Sequence, residues 1–132
     1  MTMRFNLGRR VATAAAVAAL AAGGLGVAAG SASASGNQSI GLSTYHGVGV
    51  YSGAAANTPK VADDFAPYGG WVASDCWVPG QYVTSQGDVW YHVYQEHYNG
   101  GKITYQYGYV YAPYVDNNQM LYSGQLIRCP WG

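Results

Sequence analysis

The stretch DVWYHVYQEHYNGGKITYQYGYVYAPYV, residues 88–115, decides the fold of this chain. Two runs rich in aromatic and β-branched residues, 90–94 and 103–107, flank the segment Asn-Gly-Gly at 99–101. Asn-Gly tolerates the positive φ angles that a tight hairpin turn requires. The pattern therefore predicts a two-stranded antiparallel hairpin, and the remaining segments are expected to pack around it.

The N-terminal segment has the layout of an export signal. Basic residues come first, an almost uncharged Ala/Gly/Val/Leu stretch follows over 11–29, and a small-x-small motif ends at Ala34. This layout predicts a signal peptide over residues 1–34, cleaved between Ala34 and Ser35. Two alternatives stay open: a buried or membrane-spanning helix, and export by the twin-arginine route, which a pair of adjacent arginines suggests.

The processed chain, residues 35–132, is short and weakly charged. Its length suits one domain, and it keeps three Lys/Arg and six Asp/Glu, a formal charge of −3 with neutral histidines. Nucleic acids and anionic membranes select clusters of Lys and Arg, so neither is expected as a partner. We expect a secreted, extracellular protein that associates with the cell wall and acts as a monomer.

Two cysteines remain after processing, Cys76 and Cys129. In an exported chain such a pair predicts a disulfide, and only one pairing is possible. Closing so long a loop is worth about 4 kcal/mol in the chain-entropy model. The alternative is a pair of free buried thiols.

Turn residues divide the rest of the processed chain into short segments. Residues 35–44 are small and polar and predict a flexible leader, so the folded domain is expected over 45–132. Two prolines predict a long loop over 54–70, and Pro79-Gly80 predicts a turn after a strand at 71–77. Several short segments without helical periodicity predict an all-β fold, a small closed or nearly closed barrel of about five to seven short strands.

Three segments, in order along the chain, resemble the motifs of bacterial SH3-like modules, which occur in exported, cell-wall-associated proteins. Residues 48–53 (VGVYSG) resemble the opening motif Asn-Val-Arg-Ser-Gly-Pro, 90–93 (WYHV) resemble Trp-Tyr-Lys-Val, and 108–115 resemble the closing Gly-Tyr/Trp-Val-x-x-x-Tyr-Leu. The opening motif departs from the family at Gly49 and Tyr51. The resemblance implies an SH3-like barrel that binds a cell-envelope ligand, such as a peptidoglycan peptide or glycan.

Aromatic residues are the most informative part of the composition. The chain has 13 Tyr and 4 Trp, more rings than so small a barrel can enclose. The surplus rings are expected to form a surface patch that suits carbohydrate and peptide ligands, or else cross-strand pairs that only stabilise an exposed sheet. By the resemblance, the loop after the first strand and the Pro-Tyr turn meet in a ligand groove. The candidate ligand-binding residues are Tyr51, Tyr68, Trp71, Tyr111 and Tyr114.

Patterns for catalysis and metal binding are sparse. His92 and His97 are five residues apart and fall on opposite faces of a regular strand, so we expect no metal site and no cofactor. Asp75 and Asp88 are a possible glycosidase pair, but turn and strand-end roles are commoner, and no catalytic residue is predicted. The predicted function is a non-catalytic binding module; the alternative is a secreted module that binds or inhibits an exported enzyme through residues 54–70.

Overall fold

One antiparallel sheet and two short helices make up the part of the chain that the computed structural model describes, residues 37–132. The strands are β1 Gln38–Gly41, β2 Val48–Tyr51, β3 Lys60–Phe65, β4 Gly70–Thr84, β5 Gly87–Tyr98, β6 Ile103–Thr104 and β7 Gly108–Tyr111, and the helices are α1 Ala112–Asp116 and α2 Gln119–Ser123. The prediction of a mostly β fold is confirmed. The predicted signal peptide and its cleavage site at Ala34 and Ser35 lie outside the described residues.

The sheet has seven strands in the order β1-β4-β5-β7-β2-β3, and β6 also pairs with β5. The longest pairing joins β4 to β5, from Gly70 opposite Tyr98 to Thr84 opposite Gly87. Within residues 37–132 no pairing joins β1 to β3, so the hydrogen-bonded ladder stays open. The sequence predicts a closed or nearly closed barrel, and full closure is not observed.

The predicted hairpin turn after β5 is confirmed, with φ of 91° at Gly100 and 98° at Gly101. The returning strand is shorter than predicted, because β6 ends at Thr104 and the chain leaves the ladder until Gly108. The cause is a side chain: the carboxylate Oε1 of buried Glu96 accepts the backbone N–H of Gln106 at 3.1 Å. That N–H is therefore satisfied without a strand partner.

The predicted turn at Pro79-Gly80 is wrong, because β4 continues through both residues for a total length of 15 residues. Proline is tolerated here since β1 pairs only with Trp71 to Ser74, which leaves the outer side of β4 without a strand at Pro79. Gly80 serves close packing: a Cβ at this position would lie 2.3 Å from the carbonyl oxygen of Ala54.

The predicted flexible leader over residues 35–44 is also wrong for its described part. Residues 38–41 form β1, which pairs with β4, and the amide of Leu42 donates to the carbonyl of Gly70 at 2.9 Å. Ile40 and Leu42 lie two residues apart and are both buried. Two apolar side chains on one face of a strand suffice to fix this otherwise polar segment.

The predicted loop over residues 54–70 contains β3, which pairs with β2 at the end of the sheet. Phe65 anchors it to the core and is 1 % exposed, whereas Tyr68 is 61 % exposed and anchors nothing in the core. An edge position explains how a strand forms directly after Pro59, since the missing N–H faces no further strand.

The two faces of the sheet bury different clusters. On β5, Tyr91 and Val93 belong to the main core with Val72 and Val110. The alternate residue Trp90 belongs to a second cluster, formed by Cys76, Val78, Trp90, Tyr111 and Cys129. Strand alternation separates these two sets, and the second face carries most of the candidate binding residues.

The predicted disulfide between Cys76 and Cys129 is confirmed. The C-terminal segment also pairs with β4 through its backbone: Trp77 donates to Ile127 at 3.0 Å, and Cys129 donates to Trp77 at 2.8 Å. The disulfide and these hydrogen bonds fix residues 127–129 alongside β4 at Trp77, where Trp77 and Arg128 form a parallel bridge.

Candidate functional site

Three of the five candidate residues, Tyr51, Tyr111 and Tyr114, line a single pocket together with Trp90. We call it the aromatic pocket. Its volume is about 80 Å³, and glycine, alanine and valine residues complete its lining. The lining that residues 37–132 provide contains no charged side chain, so the pocket favours a small uncharged group.

Trp90 and Tyr111 hold the pocket rigid. They are direct partners on β5 and β7, their ring centroids are 5.3 Å apart, and both are buried. The Trp90 Nε1–H donates to the carbonyl of Gln81 at 3.0 Å, and the Tyr111 hydroxyl donates to the carbonyl of Gly87 at 2.6 Å. Because both rings are almost fully buried and both polar groups are used inside the protein, these residues support the pocket and offer a ligand no hydrogen bond.

Tyr51 and Tyr114 complete the aromatic part of the lining. Tyr51 meets Trp90 edge-on at 5.8 Å between centroids, and Tyr114 meets Tyr111 edge-on at 5.0 Å. Gly49 makes room for the Tyr51 ring, because a Cβ at that position would lie 2.8 Å from ring atoms. Gly49 and Tyr51 are thus one matched feature, in which the glycine leaves room for the tyrosine ring at the pocket.

A stack of rings extends from the pocket to the surface. His46 lies between Tyr45 and Tyr114, with centroid distances of 4.3 Å and 4.0 Å. The Thr44 hydroxyl donates to the carbonyl of Tyr114 and ties this segment to α1. Tyr45 is 72 % exposed, so the stack continues the aromatic pocket into solvent.

The only cation close to this pocket, within residues 37–132, lies on its outer side. Lys60 Nζ is 5.8 Å from the centroid of the Tyr51 ring and donates to Asp64 at 2.9 Å. The hydrogen bond from Lys60 to Asp64 raises the pKa of this lysine. The pair keeps its charge in solvent and leaves the pocket interior neutral.

The other two candidates lie outside the aromatic pocket. Trp71 stacks on His97 with 3.6 Å between centroids, as cross-strand partners of β4 and β5. Tyr68 occupies a left-handed conformation, φ 56°, and its carbonyl accepts from the Asn99 side chain. Tyr68 and Trp71 are therefore parts of a separate surface.

Sequence reasoning did not select three residues that line the pocket or form the adjoining ring stack: Tyr45, His46 and Trp90. Trp90 was identifiable, because it alternates with Tyr91 on a strand whose other face forms the core. Tyr45 and His46 directly follow the segment predicted to be flexible, and nothing in the sequence indicates that β1 holds them in place.

A polar pair, Asp75 and His92, lies on the same face of the sheet as the aromatic pocket, next to the disulfide. Ser74 pairs with Val93 and Cys76 pairs with His92, so Asp75 is an extra residue, a β-bulge. The bulge breaks the alternation expected for β4 and brings Asp75 Oδ1 within 2.7 Å of His92 Nδ1.

Asp75, Cys76 and His92 present three ligand atoms within 4.8 Å of one another. The Cys76 sulfur, however, is bonded to Cys129. Two ligand atoms remain, fewer than the three or four protein ligands of zinc sites, and we propose no metal site here.

Comparison with family models, with characterised proteins and with solved structures finds no match to this chain. Among the described residues, neither helix is long and apolar enough to cross a membrane.

Proposed function

We propose that this protein is a secreted, non-catalytic binding module of SH3-like type, and that its aromatic pocket holds a cell-envelope ligand, a peptide or glycan of peptidoglycan. The observation that carries the proposal is the convergence of Tyr51, Tyr111 and Tyr114 on one uncharged pocket. The sequence pattern selects these residues as ligand-binding independently of their positions in space. The resemblance to SH3-like modules and the export signal support the assignment to the cell envelope.

The size of the pocket limits what can enter it. A volume of about 80 Å³ exceeds the roughly 10–15 Å³ that one water needs and is about half of a 150 Å³ cavity that admits benzene. A methyl-bearing group, such as an alanine side chain or the acetyl group of an N-acetyl sugar, suits this space. Peptidoglycan presents both groups, and both are uncharged like the pocket lining.

The ring stack beside the pocket supplies a surface for the rest of an extended ligand. Tyr45, His46 and Tyr114 present stacked faces that run outward from the pocket. Tyrosine gives large contact area at low cost in side-chain entropy. We infer that one group of the ligand fills the pocket while the adjoining part lies along this stack.

The positions of the acidic residues support a non-catalytic role. Asp75 lies next to His92, and Asp88 is four residues earlier on β5. At about 3.3 Å per residue, Asp88 and His92 are roughly 13 Å apart along the strand. Glycosidase carboxyl groups are about 5–9.5 Å apart, so this backbone spacing disfavours Asp75 and Asp88 as such a pair.

Retention on purified cell walls tests the proposal. Protein expressed from the full-length sequence and recovered after export should sediment with peptidoglycan. Tyr114→Ala should weaken its retention about two- to tenfold, the worth of one or two aromatic contacts. Tyr122→Ala is the matched control, because Tyr122 is 72 % exposed and lies on α2. No retention above that of an unrelated acidic protein would refute the proposal.

An open sheet edge favours one second candidate, binding of an exported protein. β3 ends the ladder, and a partner strand could pair with its free side. The charged residues Lys60, Asp63 and Asp64 on β3 disfavour such pairing, which is why we place this candidate second. Cross-linking in culture medium distinguishes the two candidate functions. Capture of a single protein partner, without retention on cell walls, would favour binding of an exported protein.

A further inference from the structure

A second group of rings surrounds His92 on the same face of the sheet. The His92 ring centroid lies 5.9 Å from Tyr107, 5.0 Å from Tyr109 and 5.1 Å from Trp131. We call these three rings, with the Asp75–His92 pair, the aromatic shelf. None of them lines the aromatic pocket, so the shelf needs its own explanation.

Trp131 is exposed and yet held in place. Its side chain is 59 % exposed, while its Nε1–H donates to the hydroxyl of Tyr109 at 3.0 Å. The disulfide at Cys129 is two residues away, and Gly132 donates to the Cys129 carbonyl and accepts from Arg128 Nε. A large ring fixed without being buried is a preorganised contact surface, because binding a ligand costs little further ordering.

Two polar atoms of the shelf have unused hydrogen-bonding capacity. Asp75 Oδ1 is taken by His92 Nδ1, whereas within residues 37–132 Asp75 Oδ2 and His92 Nε2 have no hydrogen-bond partner. Neither atom is among the buried polar atoms that lack a partner, so both reach solvent. The bulge at Asp75 therefore presents a free carboxylate oxygen and a free imidazole nitrogen among aromatic rings.

We propose that the aromatic shelf is a binding subsite for a neutral sugar ring of an oligosaccharide. The apolar face of a sugar ring stacks on Trp131 or Tyr107, as amphipathic rings favour. One sugar hydroxyl donates to Asp75 Oδ2. Another donates to His92 Nε2, because Nδ1 carries the hydrogen that Asp75 Oδ1 accepts. The Asp75 carboxylate disfavours acidic sugars through like charge.

This site is independent of the aromatic pocket, and titration with soluble oligosaccharides tests it. Chitotetraose and cellotetraose are added to protein expressed from the full-length sequence and recovered after export. The indole N–H signal of Trp131 and the ring signals of His92 are followed by NMR. We expect a saturable shift of both, with affinity about three- to tenfold weaker in Trp131→Ala and in Asp75→Asn.

Two variants serve as controls. Trp71→Ala removes another surface tryptophan, 36 % exposed, and Tyr122→Ala removes a tyrosine on α2 that is 72 % exposed; both should keep the wild-type affinity for the saccharides. Asp75→Asn keeps every aromatic ring, so it still tests saccharide binding if Trp131→Ala fails to fold. No saturable shift with either saccharide would overturn the proposal, and so would an equal loss in Trp71→Ala. Failure of wall retention with intact saccharide binding would instead count against the pocket alone.

Discussion

Reduction of the Cys76–Cys129 disulfide should lower the free energy of unfolding by about 4 kcal/mol. The bond joins residues 53 positions apart, and the chain-entropy model gives this value for a closed loop of that length. The effect is expected mainly in the unfolded state, because the backbone hydrogen bonds of Trp77 to Ile127 and Cys129 do not depend on the sulfur–sulfur bond.

Urea denaturation followed by tryptophan fluorescence, with and without dithiothreitol, measures this loss. The reduced protein should unfold at lower urea with a larger m value, since its unfolded chain exposes more surface. In thermal unfolding, 4 kcal/mol corresponds to a fall in Tm of about 15–30 °C for a domain of this size. The double variant Cys76→Ala/Cys129→Ala should unfold at about the same urea concentration as the reduced protein, and dithiothreitol should not change its midpoint. A loss below about 1 kcal/mol would show that the cross-link restrains little.

Three further predictions concern the core. Burial raises the pKa of Glu96, so the folded state binds this proton more tightly than the unfolded chain does, and stability falls as pH rises from the ordinary glutamate pKa through the folded-state value. Glu96→Gln should flatten this fall in Tm above the ordinary glutamate pKa of about 4.3, and an identical pH profile would contradict it. Tyr91→Phe removes the hydroxyl that donates to Asp116 at 2.9 Å and should cost about 1–3 kcal/mol in urea unfolding; an unchanged midpoint would disprove the role of that bond. Gly108→Ala places a Cβ 2.8 Å from the facing strand and should cost about 1–3 kcal/mol. Gly41→Ala, which meets nothing within 4 Å, is its control, and equal losses would refute the packing argument.

The sequence predicts those features that local chemistry decides. Glycines at 100 and 101 mark the hairpin turn, and two cysteines allow only one disulfide. Gly108 and Val110 are both predictable as core-facing positions, and both are buried. In each case the residue type itself imposes the conformation or the bond, so no knowledge of distant contacts is needed.

The features that the sequence does not predict depend on contacts between distant segments. Residues 38–41 are polar and become a strand only because β4 extends far enough to pair with them. Gly80 resembles a turn residue but serves the approach of Ala54. The bulge at Asp75 is set by the register between β4 and β5, and no local pattern specifies it. The contact between Asp75 and His92 in the aromatic shelf could therefore not be predicted from the sequence.

The aromatic pocket and the aromatic shelf are neighbours along β5. Trp90 underlies the aromatic pocket and His92 underlies the aromatic shelf, two residues apart and on the same face. Two residues of a strand span about 6.6 Å, so a polymer that carries both sugars and short peptides can contact both sites at once.

Binding at one site then raises the effective concentration of ligand at the other. If one peptidoglycan strand occupies both, Tyr114→Ala and Trp131→Ala should each weaken wall retention more than they weaken binding of a small fragment. Compared with either single variant, the double variant should lose no more wall retention than one additional site contributes. Equal losses on intact walls and on soluble fragments would show that the two sites bind separate molecules.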